Sequence, residues 1–132
     1  METTVKFSIS VTGEDSGKPY SGDFTVKTMI TRRERFQADA IRRDIIGPVP
    51  EGQSVVPSLQ TEAFIHGQLA VRLMDSPKWW VDAGNGLDLE DYNVILTVYD
   101  KVIELDNAKM ADMQKESEEA LKKLASKKSK EK

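Results

Sequence analysis

Val5, Phe7, Ile9 and Val11 alternate with Lys6, Ser8, Ser10 and Thr12. A period of two is the signature of a half-buried strand. A run built for a loop follows, Gly13 to Pro19 (GEDSGKP), and then a second alternation sets Phe24, Val26, Thr28 and Ile30 against Thr25, Lys27 and Met29. Two such runs around a Gly/Asp/Ser/Pro loop predict a β-hairpin. An isolated hairpin is marginal in water. The rest of the chain must therefore supply a cover for its apolar face.

Helix signals begin at once. Thr31-Arg32-Arg33-Glu34 has the spacing of a capping box, in which the Thr hydroxyl and the Glu carboxylate each take one orphan amide. Phe36, Ala40, Ile41 and Ile45 then recur at helical spacing, and Gly47-Pro48 stops the helix. The next eleven residues, 47–57 (GPVPEGQSVVP), hold three prolines and two glycines and predict a loop. Ser58 is placed to cap a second helix running to about Asp75, with Leu59, Ala63, Phe64, Leu69, Ala70, Leu73 and Met74 as its apolar positions and Pro77 beyond its end. Trp79-Trp80 precedes a tight turn at Ala83-Gly84-Asn85-Gly86, rich in residues that accept positive φ. A third helix starts near Asp88, and Val94, Ile95, Val98, Val102 and Leu105 form its buried stripe. Past Leu105 the stripe thins among Glu and Lys, which predicts a solvated helix over 107–125 and a frayed or disordered end over 126–132. The expected class is α+β: an N-terminal β-hairpin packed on about three helices, the last one long with a disordered basic end. Residues 1–106 are expected to form the globular unit and 107–132 a charged extension and flexible tail.

A chain of 132 residues at 39% hydrophobic and 31% charged is long enough for one real core. Its net charge of −3 argues against a general polyanion binder. With no cysteine, a disulfide framework and a cysteine-ligated metal are excluded. No apolar run approaches the ~18 residues of a membrane span, and the N-terminus lacks the pattern of a signal peptide. The cytoplasm is the expected compartment, with no membrane partner.

Nucleophilic catalysis requires a nucleophile, a base and an orienting group. The single histidine, His66, sits within the second helix and reads as a surface or packing residue. Phosphate-binding, dinucleotide-binding and nucleophile-elbow motifs do not occur. The acids Asp82, Asp88, Glu90 and Asp91 fail the calcium-loop pattern, since Gly84, Gly86 and Asn93 fall where oxygen ligands belong. Asp88 or Asp91 reads instead as a helix cap. Neither an enzyme, nor a cofactor, nor a metal is expected.

What is left is binding. Trp79 and Trp80 read as a core anchor combined with an interface residue, ahead of a stacking platform for nucleic acid, because acids follow them. Arg32 and Arg33 sit against the local helix dipole, weakly suggesting a contact role. With Val55 and Val56 of the 47–57 loop, these six residues are the candidate protein-binding set. The six lysines and one glutamate after Leu121 give a local charge of +5, but no arginine or aromatic accompanies them, and nucleic acid is not the expected partner.

The order of segments resembles a known family. A strand pair is followed by T-R-R-E-R-F-Q-A-D-A-I-R-R-D-I-I-G. A second helix ends in L-M-D-S-P-K-W-W, and G-x-D-L-x-D-x-N-V-I (Gly86 to Ile95) opens a third helix before a charged tail. Over roughly residues 20–105 this is similar to the tail assembly chaperones of long-tailed bacteriophages. The resemblance implies a mainly helical fold with a small β element. It also implies a protein that binds the phage tape measure protein in the host cytoplasm, helps recruit tail tube protein, and is absent from the mature virion. Self-association is left open. The alternatives are a virion structural or neck/connector protein, and a small nucleic-acid-binding module using the Lys-rich tail.

Overall fold

A computed structural model describes residues 4–130, with side chains through Lys127. The two alternating runs form strands β1 (Thr4–Thr12) and β2 (Pro19–Lys27), paired antiparallel with Phe7 opposite Phe24 and Val5 opposite Val26. Residues directly opposite share a face. Phe7, Ile9, Phe24 and Val26 are accordingly buried together, and the rings of Phe7 and Phe24 stack at 5.3 Å. The other face carries Lys6, Ser8 and Asp23 into solvent, where Asp23 accepts a hydrogen bond from the Ser8 hydroxyl.

Helix α1 (Arg32–Ile46) begins with the expected capping box: the Thr31 hydroxyl accepts from the Glu34 amide, and the Glu34 carboxylate accepts from the Thr31 amide. Lys27 adds an ion pair at 2.9 Å. The Thr31 amide first, and Lys27 next, hold the Glu34 carboxyl down at about 2. The buried face of α1 departs from expectation. Ala38 is the buried residue, while Phe36 is 68% exposed and Ala40 is also outside. The cause lies in α2 (Pro57–Arg72), which runs antiparallel to α1 and meets it at Gly67. A Cβ on Gly67 would stand 2.4 Å from the Ala38 carbonyl oxygen. Helices this close select small residues at the crossing and turn the large ones outward.

α2 is covered on two sides. Ala63 and Gly67 face α1, while Ile65, Leu69 and Arg72 reach inward, so Leu59, Phe64, Ala70 and Met74 are left exposed rather than buried as expected. Its N-cap is Val56, not Ser58, with Pro57 in the first turn. The helix also ends earlier than predicted. Leu73 is extended, and Leu73–Asp75 form β3 on the open edge of β2, giving the sheet order β1-β2-β3. Pro77 disfavours helix just before it, and pairing here covers an edge of β2 that would otherwise stay open.

Both tryptophans lie on the short α3 (Lys78–Asp82). Gly84, Asn85 and Gly86 then take positive φ as the sequence suggests. α4 (Tyr92–Lys130) is a single helix of 39 residues, about 58 Å long at 1.5 Å per residue. Val94, Ile95, Val98 and Val102 pack into the sheet's inner face as predicted. The helical backbone continues to Lys130, where a frayed end was expected; residues 131 and 132 lie outside the described residues.

Two polar fastenings hold α4 in place. The fully buried Asp91, just before its first turn, was expected to cap a helix. Its carboxylate accepts instead from the Asp15 and Ser16 amides, the Ser16 hydroxyl and the Tyr20 hydroxyl. The Ser16 hydroxyl above all holds its pKa below the usual carboxylate range. Gly13 makes room for it: a Cβ there would lie 2.2 Å from the Asp91 carboxyl carbon. Asn93 completes the clamp, accepting from the Glu14 amide and donating to the Thr12 carbonyl. At the far end of the buried segment, Asp106 accepts from the Met29 amide at 2.8 Å and pairs with the buried Arg72 at 3.0 Å.

A candidate protein-binding groove

The six residues singled out from sequence do not form one surface. Trp80 is 1% exposed, with its ring edge-on to Phe24 at 5.5 Å. It belongs to the core and offers no contact area to a partner. Trp79 is half-buried; its ring tilts over Tyr20 at 5.0 Å, and its Nε1–H donates to the Ser21 carbonyl. The indole hydrogen-bonding capacity is thus already used within the fold. Arg32 and Arg33 are exposed on the first turn of α1. Val55 lines a cavity of about 310 Å³ at the other end of the α1–α2 pair, with Arg42, Arg43 and Ile46, and the exposed Val56 sits beside it. The length of α1 separates the arginines from these valines by roughly 20 Å.

The structure assembles a different site at the junction of α1, α2 and the start of α4. A groove of about 280 Å³ is lined by Ile45, Leu59, Ala63, Leu87, Leu89, Tyr92 and Ile95, with Glu62, His66 and Glu90 among them. Leu59, Glu62, Ala63 and His66 fall along one side of α2 because residues three and four apart stack on a helix. Leu87 and Leu89 come from the connection that the positive-φ turn folds back toward α2. Leu59 and Leu87 stand 43% and 54% exposed.

The electrostatics are one-signed. Burial pushes the His66 pKa below its ordinary value, outweighing the pull of Glu62, so the imidazole is neutral at pH 7. Burial raises the Tyr92 phenol, with Glu62 adding to it. Two carboxylates thus border an apolar trough that holds no cation. Such a place suits apolar side chains flanked by basic groups. Among the described residues, no group of three His, Cys, Asp or Glu side chains is arranged to hold a metal ion.

Sequence reasoning missed this groove. The signal within α2 was present: a helix with apolar positions on more than one side has more than one neighbour to cover. Nothing local marks Leu87, an isolated leucine in a turn. Comparison of the chain with protein-family models, with curated proteins and with solved structures finds no match.

Proposed function

We propose that this protein is a chaperone for an amphipathic helical partner, and that the partner is the tape measure protein of a long-tailed phage. The observation that carries the reading is the groove of Leu59, Leu87 and their neighbours, apolar within and acidic at its border. A tape measure protein is a long helical chain with apolar stripes, which aggregates through those stripes when uncovered. Helix-in-groove binding covers the stripe one segment at a time and remains reversible. On this reading the chain works in the host cytoplasm, helps bring tail tube protein to the covered tape measure protein, and leaves before the virion is complete. The resemblance over residues 20–105 supports the same role.

Co-expression tests it. The tape measure protein is expected in the soluble fraction with the intact chain, and in the pellet with Leu59→Glu/Leu87→Glu. Both positions are exposed, so the variant retains its circular dichroism and melting temperature. A tape measure protein equally insoluble with and without the intact chain overturns the proposal, as does this chain's presence in purified virions.

A further inference from the structure

The second half of α4 is a face without a cover. Every residue from Met110 to Lys127 is exposed. At 100° per residue, Met110, Met113, Ser117, Ala120, Leu121 and Leu124 fall within one arc of about 100°, with Lys and Glu around the rest. An apolar stripe of this width on an isolated helix is stable in water only if something shields it.

We infer that the occupant is the same stretch of a second copy, running antiparallel. Three features of the stripe select that pairing. In heptad terms Met110, Ser117 and Leu124 take one core position, and Met113 and Ala120 the other. The antiparallel register that alternates these positions sets Met113 against Leu124 of the second copy and Ser117 against its Ala120. The small residues then meet at the centre with a large pair on either side of them, and at each end Met110 lies against the aliphatic stem of Lys127. The flanking position carries Glu116 and Lys123, and the same register places each opposite the other's counterpart, giving two symmetry-related ion pairs. Finally, charge is polarised along the stretch: Asp112, Glu116, Glu118 and Glu119 outweigh Lys115 in its first part, and Lys122, Lys123 and Lys127 follow. Antiparallel packing lays acidic half on basic half. A parallel pair would bring two lysine ends together and leave Glu116 facing Leu121, so it is disfavoured. The interface is separate from the groove and leaves it open in both copies, giving a particle with two client sites.

The chain contains no cysteine, which makes the geometry testable directly. Sedimentation equilibrium is expected to show a mass rising with concentration from 14.8 kDa toward twice that value. Mixing Met113→Cys with Leu124→Cys chains under mild oxidation is expected to give a disulfide-linked pair, while Leu124→Cys alone does not, its two copies lying about 16 Å apart along the axis. Glu116→Lys replaces the two ion pairs with two lysine–lysine contacts and weakens association about tenfold, and mixing it with Lys123→Glu restores it. A chain monomeric to about 1 mM, a Kd near the weakest specific range, overturns the inference. Efficient cross-linking of Leu124→Cys alone overturns the antiparallel arrangement. Neither result bears on the groove, whose test is solubility of the client.

Discussion

The two halves of α4 are one continuous helix with two different reasons to exist. From Tyr92 to Asp106 it is held from outside: four valine and isoleucine side chains are sealed in the core, Asp91 grips the β1–β2 loop, and Asp106 ties to Arg72 and the Met29 amide. From Asn107 to Lys127, almost every residue is exposed. Most helical stability in proteins comes from tertiary packing, so the persistence of this stretch depends on continuity with the anchored half and on whatever covers its stripe. Burial creates order in the first half, and the second half inherits it. The first half is therefore sensitive to single changes, and the second is free to present a surface.

Paired substitutions would sharpen or break that contrast. Ile95→Ala, in the anchored half, empties a buried site and is expected to lower stability by about 3 kcal/mol in urea unfolding. Leu124→Ala, on the free half, should cost less than about 0.5 kcal/mol at protein concentrations where the chain is monomeric. Asp106→Ala leaves the buried Arg72 charge without its carboxylate, with only the Gln68 side chain still accepting from it, at a cost of about 3 kcal/mol. Asp112→Ala, less than two turns further along, should fall within about 0.5 kcal/mol of the unchanged chain. Equal effects within either pair would mean that the two halves are not distinct.

Acid supplies the gentlest probe, and it acts on the anchored body. Glu34 has its folded pKa lowered from 4.5 to about 2. Its contribution is complete above 4.5 and is lost as pH falls through about 2. Asp91 is displaced in the same direction. His66 is lowered from 6.5 by burial, so below that value the unfolded chain takes up the proton first and stability begins to fall. Thermal melts from pH 7 downward are expected to lose stability first near pH 6.5 and again in the carboxylate range. His66→Gln should remove the first decline and keep the second. A melting temperature flat from pH 7 to 5 would show that His66 is not held neutral.

Much of the architecture was legible because it follows from short-range periodicity. The alternation of Val5 to Val11, the Thr31–Glu34 capping box, the positive-φ turn at Gly84–Gly86 and the Val94–Val102 stripe each depend on residues a few positions apart. The candidate site was barely legible. Trp80 carries the composition of an interface residue and lies in the core, while Leu87 carries no signal and lies in the groove. Residue type gives the capacity for contact, and packing decides whether a partner or the protein itself uses it.

The sequence by itself determined the β1–β2 pair with its apolar face, the capped start of α1 and the buried stripe of α4, since backbone geometry repeats every two or 3.6 residues whatever the neighbours. Only the tertiary structure decided that Leu73–Asp75 leaves the helix for the sheet edge, that Phe36 turns outward, and that Asp91 serves a loop more than seventy residues away. Those outcomes depend on which distant backbone comes close enough to claim a hydrogen bond or a volume. That is a property of the whole fold, and no window of adjacent residues contains it.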